Sequence, residues 1–408
     1  MSKSNQKRDE PVVADHAMVA TSQPLAVETG IEILKRGGTA IDAAIAANAM
    51  LGLVEPMSCG LGGDLFAIVW DATDAKLYGL NGSGRGPAAM TRAAFAARGL
   101  HRIPLQGPLS WTVPGCVDGW FALHARFGRL PMSELLEPTI ETAESGFAVT
   151  PVIAGMWQRA AERLREDPGA RATFLTDGRA PDTGERVGNP NLARTLHAIA
   201  ENGRGAFYRG TIADRIVEGS AQVGGLMAAE DLAAHTSEWV EPISAPYRGY
   251  DVWELPPNTQ GIAALQMLRI LEGYDLASLG PGSVEWPHLL IEAKKLVYED
   301  RARFYADPAC TEVPIEDLLS EDYANRRRKL IDPNQASQHV VAGDPRLRRG
   351  DTVYLTVVDE HGNAVSFIQS IYERFGSGVV CPGTGFAMQN RGSLFHLCLL
   401  YTSPSPRD

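Results

Sequence analysis

The sequence predicts a layered α/β (α+β) fold, and three observations carry that prediction. Strand-like segments come in adjacent pairs, Leu65–Trp70 with Lys76–Leu80 and Thr352–Asp359 with Ala364–Ser370. Helical pattern fills the chain between them, chiefly from Pro131 to about Glu218 and from Gly261 to Tyr305. One early helix, Ala40–Leu53, is small and apolar all round, which places it between layers rather than at a surface.

The elements follow in order. Residues 1–15 are polar and charged and read as a short disordered lead. Pro24–Arg36 reads as an amphipathic helix with Leu25, Ile31, Ile33 and Leu34 as its apolar members. Gly37 and Gly38 stop it, since glycine tolerates the left-handed cap. Thr39 caps the next helix, with Asp42 in the position that completes a capping box. Gly60-Leu61-Gly62-Gly63 lacks the spacing of a phosphate cradle and precedes a strand, so it reads as a tight backbone turn. Trp253–Pro257 leads into a helix over Gly261–Glu272, and another spans Val284–Tyr305. Glu299, Asp300 and Arg301 read as an ion-pair face of that helix. The basic runs Arg326–Lys329 and Arg346–Arg349 read as solvated surface. The last hairpin turns at His361-Gly362-Asn363, whose residues suit positive φ. No internal repeat or linker calls for independent domains.

Composition excludes several functions. A net charge of −11 argues against a nucleic-acid partner, whose phosphates need a basic face. The five cysteines are odd in number, scattered, and free of any C-x-x-C. That fits a reducing compartment and disfavours disulfides or zinc. With no H-E-x-x-H either, neither a metal nor an organic cofactor is expected. No apolar run approaches the roughly 18 residues of a membrane span, and no apolar leader follows Met1. The expected location is cytoplasmic, without a membrane partner. The absence of G-x-S-x-G disfavours an α/β-hydrolase serine.

The chemistry points to Gly350-Asp351-Thr352. If the backbone is cut before Thr352, that residue carries a free α-amine beside its hydroxyl. An amine beside a hydroxyl is a base beside a nucleophile, sufficient for amide chemistry. A threonine opening a strand is ordinary by itself, so its surroundings matter. Met18–Ala26, Gly37–Ala44, Gly60–Gly63, Val113-Pro114-Gly115, Pro256–Gly261 and Asp300–Arg303 occur in that order. Asp351-Thr352, Asp359–Val365 and Phe375–Gly378 follow.

Over about Met18 to Phe395 this assembly resembles the γ-glutamyltranspeptidase family of N-terminal-nucleophile hydrolases. The resemblance implies an αββα four-layer sandwich, made as an inactive precursor that cleaves itself between Asp351 and Thr352. The implied large subunit covers residues 16–351, and the small subunit starts at Thr352, giving a heterodimer from one precursor. Thr352 is the implied nucleophile, its amine the base, and Ser370 the hydroxyl that orients it. Water or an amine would accept the acyl group.

Departures from the family bear on the substrate. Glutathione-cleaving members grip the substrate α-carboxylate with an arginine ahead of a proline. Aligned on Pro87, that position is Ser83, and the nearest arginine is Arg85. Tyr372 stands where an asparagine of the glutamate pocket is expected. Arg391 stands where an acid should hold the substrate amine, which reverses the local field. The resemblance is therefore nearest the oxamate amidohydrolase and cephalosporin-acylase-like branch. The expected activity is hydrolysis of a small carboxylate-bearing amide, with Arg85, Tyr372 and Arg391 binding it. One alternative is γ-glutamyl transfer or glutathione hydrolysis. Another, of a different class, is an unprocessed, inactive truncated fragment. Residues 397–408 match nothing before them and read as a non-native tail. That leaves 352–396 as the start of a truncated small subunit, without the family's oxyanion glycine pair, and the sandwich incomplete at its C-terminus.

Overall fold

A computed structural model describes residues 11–337 and 352–397 of the chain. Its strands are β1 (Met18–Ala20), β2 (Asp64–Asp71), β3 (Lys76–Gly82), β4 (Phe147–Ala148) and β5 (Arg186–Val187), then β6 (Glu238–Val240), β7 (Ile243–Tyr247), β8 (Tyr250–Glu254), β9 (Thr352–Val358) and β10 (Ala364–Ser370). Six of them form an antiparallel sheet in the order β1-β9-β10-β2-β3-β6. The two predicted strand pairs are thus neighbours at the centre of one sheet, β9-β10 beside β2-β3.

Period-two patterning sets the sheet's faces. Val353, Leu355 and Val357 of β9, Val365 and Phe367 of β10, and Leu65, Ala67 and Val69 of β2 are all buried. They pack beneath a helical layer of α1 (Pro24–Lys35) and α2 (Ala40–Val54). On the other face Tyr354 is 52% exposed, Ile368 39% and Trp70 37%. Among the described residues, one helical layer and one sheet of the expected sandwich are therefore formed, and the second face of that sheet is partly open.

Every residue of α2 is buried, as its composition requires. Thr39 and Asp42 form the predicted capping box. The Asp42 carboxylate also accepts the backbone N–H groups of Arg129 and Leu130. Ala40 N–H donates to Asp359 Oδ2 at 3.1 Å, tying the helix start to the β9–β10 turn. In α1 the buried stripe is Ala26, Thr29, Gly30 and Ile33, while Ile31 is exposed. Ile31 thus leaves the apolar set. Three-and-four spacing from Ala26 defines the inward face, and Gly30 lets the helix sit close against Val19.

A second core lies between the Gly261–Leu271 and Glu285–Phe304 helices, around Ile262, Ile270, Leu289, Ala293 and Val297. Asp300 is buried within this unit, so its ion pair, with Arg327, is internal instead of on a solvated face. It accepts from Tyr323 Oη and Arg327 Nη2, both at 2.7 Å, and from Gln266 Nε2 at 3.2 Å. Burial pushes its carboxyl up, against the opposing pull of Tyr323, Arg327 and Gln266. The run Arg326–Lys329 is correspondingly not all solvated. Arg327 serves the buried carboxylate, and Arg328 donates to the carbonyls of Ile270 and Arg269. A buried carboxylate demands such partners, so a run that looks like free surface charge becomes internal scaffolding. Arg346–Arg349 lies outside the described residues. No helix among the described residues is long and apolar enough to cross a membrane.

Candidate active site

Thr352, Ser370 and Asp64 stand side by side on three adjacent strands. Ser370 pairs with Thr352 across β10-β9 and with Asp64 across β10-β2. Directly opposed residues of antiparallel strands present their side chains on one face. Thr352 Oγ1 donates to Ser370 Oγ at 3.1 Å, and the Tyr372 backbone N–H donates to the same oxygen at 2.8 Å. Thr352 is exposed at the strand end, whereas Ser370 is buried.

Local sequence sets this arrangement. Asp359 Oδ1 accepts the N–H groups of His361 and Asn363, each at 3.0 Å, and Gly362 adopts φ +81°. The turn locks the β9–β10 register. A one-residue slip would turn Thr352 onto the α2 face. The glycine turn before β2 has a matching purpose. A Cβ at Gly63 would collide with the Ser370 carbonyl oxygen, so β10 can approach only a glycine there. Gln369 anchors the same turn, accepting Gly60 N–H at 2.8 Å and donating to Gly60 O at 2.9 Å.

These residues open into a cleft of about 1200 Å³ between the sheet and the second core. Thr352, Ser370, Asp64 and Arg391 line one part of it. Ser83, Arg85, Glu238 and the Pro256–Gly261 segment line another. Ser83 Oγ donates to Asn81 Oδ1 at 2.7 Å and accepts Asn258 Nδ2 at 3.1 Å. Arg85 Nη2 meets Glu238 Oε1 at 2.8 Å, and both side chains are more than half exposed. Water screens such a pair, which leaves roughly 0–1 kcal/mol of stabilisation.

Arg391 has a different partner. Its Nε pairs with Oδ2 of Asp64, a side chain only 1% exposed. Burial pushes the Asp64 carboxyl up, and Arg391 pulls it back. Among the described residues Asp64 Oδ1 has no hydrogen-bond partner. The expectation that Arg391 reverses the local field is corrected here, because Asp64 supplies the opposite charge beside it. The Arg391 guanidinium also lies 5.2 Å from the centroid of the Tyr372 ring, a cation–π distance. Tyr372 is buried at φ +75° and is not part of the cleft wall. Its backbone reaches Ser370 and its ring faces Arg391. Asp351 lies outside the described residues.

Sequence reasoning passed over Asp64, although a signal existed. It opens β2 directly after the glycine turn, and period-two alternation from the buried Leu65 puts it on the nucleophile face. It also passed over His235, which lines the cleft. Burial pushes its imidazole down to about 4, although Asp118 Oδ2 lies 4.0 Å away and pulls the other way. Asp118 itself is held below the usual carboxylate range. Burial acts against this, but hydrogen bonds from Ser237 and Arg204 outweigh it. No pattern in the chain links these four positions. No group of three His, Cys, Asp or Glu side chains among the described residues is arranged to hold a metal.

Comparison with known proteins agrees with this geometry. The gamma-glutamyltranspeptidase family profile matches residues 26–405. The chain is 40% identical over 387 residues to the glutathione hydrolase-like YwrD proenzyme of Bacillus subtilis, covering 95% of this chain and 72% of that protein. It is 37% identical over 391 residues to the oxamate amidohydrolase proenzyme of Klebsiella pneumoniae, covering 94% and 72% respectively. The solved cephalosporin acylase from Bacillus halodurans superposes with a TM-score of 0.89 at 44% identity, over 98% of this chain and 74% of that one. Both curated relatives are named as proenzymes. The chain belongs to the γ-glutamyltranspeptidase family of N-terminal-nucleophile hydrolases, as a mixed α/β enzyme of the amidohydrolase and acylase kind.

Proposed function

We propose that the protein is a self-processing threonine amidohydrolase whose substrate is a small amide bearing a carboxylate, of the oxamate type. The observation that carries this reading is the 3.1 Å hydrogen bond from Thr352 Oγ1 to Ser370 Oγ at the wall of the cleft.

In maturation, Thr352 Oγ1 attacks the Asp351 carbonyl carbon. The peptide C–N bond breaks, its nitrogen takes a proton, and an ester joins the two residues. Water hydrolyses that ester, leaving a carboxylate on Asp351 and a free amine on Thr352. The product is a large and a small chain. In turnover the amine takes the hydroxyl proton while Oγ1 attacks the substrate amide carbon. The tetrahedral adduct collapses as that proton passes to the departing nitrogen. Water, with the amine again as base, or an acceptor amine then resolves the acyl-threonine. A free α-amine titrates near ~7.7–8, so a useful fraction is neutral at physiological pH. Ser370 holds Oγ1 on line, and the Tyr372 N–H fixes Ser370 in turn. Arg85 and Arg391 contribute positive charge to the cleft wall, each beside its own carboxylate partner, while Tyr372 supports Arg391 without touching substrate.

A second reading, γ-glutamyl hydrolysis or transfer, draws support from the 40% identity to a relative named glutathione hydrolase-like. Mass spectrometry of the purified protein is the first test. A fragment beginning at Thr352 is expected from the wild type and none from Thr352→Ala. The reading falls if no such fragment forms or if the variant still cleaves. Parallel assays with oxamate and a γ-glutamyl anilide then separate the two substrates. Turnover of the anilide alone would favour the second.

A further inference from the structure

We infer that Arg102 is the residue that anchors the substrate carboxylate, an inference that rests on the amidohydrolase reading of this cleft. Arg85, Arg102, Arg301 and Arg391 all line the cleft. Three of them are engaged. Arg85 pairs with Glu238 at 2.8 Å, Arg391 pairs with Asp64, and the Arg301 guanidinium lies 5.7 Å from the Tyr298 ring centroid. The Arg391 pair is the hardest to break, because releasing it strands a carboxylate that is 1% exposed. A substrate carboxylate arriving at Arg391 would also meet the negative charge of Asp64.

Arg102 differs from the others. Among the described residues it has neither an ion pair nor a hydrogen-bond partner, and its side chain is exposed. The segment that carries it is nevertheless well fixed. Ile103 is buried in a small apolar cluster with Met90 and Phe95, against which Phe395 packs. Leu105 O accepts Asn390 Nδ2 at 2.8 Å, and Gly107 N–H donates to Ser377 O at 3.0 Å. The loop is therefore pinned to the segment that presents Arg391. A guanidinium with an anchored base and an unoccupied fork suits a carboxylate, which it can bind bidentately. A carboxylate there gains an opposite charge without displacing an existing one. Discrimination between anionic and neutral amides then falls to Arg102, and Arg85 and Arg391 shape the wall.

The test compares oxamate with its neutral analogue oxamide on the processed enzyme. Arg102→Gln is expected to raise KM for oxamate by about tenfold or more. The kcat should change little, oxamide kinetics should hold, and Arg102→Lys should recover part of the loss. An unchanged oxamate KM, or an equal loss on both substrates, would overturn the assignment. If the wild type does not turn over oxamate, calorimetry with oxamate decides. Weaker binding by Arg102→Gln keeps the anchor while the amidohydrolase reading falls. Equal binding by both proteins removes the anchor.

Discussion

Two sets of residues in the cleft are held in place by different physics. At the Thr352 end, backbone register does the positioning. Thr352, Ser370 and Asp64 are cross-strand neighbours, and the Asp359–Asn363 turn and the Gly63 contact lock their strands. Among the paired charges, side-chain contacts do it. Arg391 pairs with Asp64, Arg85 with Glu238, and His235 lies against Asp118. The difference teaches that the nucleophile's geometry depends on the sheet, whereas the charge seen by a substrate depends on long-range pairs. Damage to one set should leave the other measurable.

Thr352→Ala gives the largest expected effect, a loss of activity of about 10⁴-fold or more with stability almost unchanged. Retained amidase activity would separate the cross-strand pair from the chemistry altogether. Arg391→Gln comes next, on the stability axis. It strands the Asp64 carboxylate and should cost about 3–5 kcal/mol by denaturant unfolding. The cost should shrink in acid, where Asp64 protonates. A loss independent of pH would show that Arg391 acts by packing instead.

The third prediction concerns His235. Its folded pKa of about 4 lies below the unfolded value, so the unfolded chain binds the extra proton between those values. Stability is therefore full above about pH 6.5 and falls as pH drops toward about 4. His235→Asn should flatten that slope in urea titrations from pH 7 to pH 4, and an unaltered slope would assign the effect to other groups. The smallest effect is expected of Arg85→Gln. Its exposed pair with Glu238 should be worth less than about 1 kcal/mol, with KM changed only a few-fold. A loss as large as that of Arg391→Gln would erase the distinction between a screened pair and a buried one.

Much of the fold was legible because its signals are local. The Thr39–Asp42 capping box, the all-apolar α2 and the β9–β10 turn are each written within a few residues. Ile31 was misread because the Pro24–Lys35 pattern contains enough apolar residues to suggest more than one stripe. Only the neighbouring layer decides which stripe is buried. Asp300 and Arg327 were misread for a different reason. Charge on a helix usually faces solvent, and nothing nearby in the chain announced that a second core would close over this carboxylate.

By itself, then, the amino-acid sequence determined the four strands at the centre of the sheet and the apolar helix buried against them, while a role for Ser370 beside Thr352 came only as what the family resemblance implied. Periodicity and turn chemistry act over a few residues and so survive in one dimension. Tertiary structure alone decided that Asp64 answers Arg391, that Asp118 lies beside His235, and that Arg102 has no partner among the described residues. The partners of a buried charge are whatever groups the packed layers bring within a few ångströms, and Asp64 and Arg391 stand 327 positions apart along the chain.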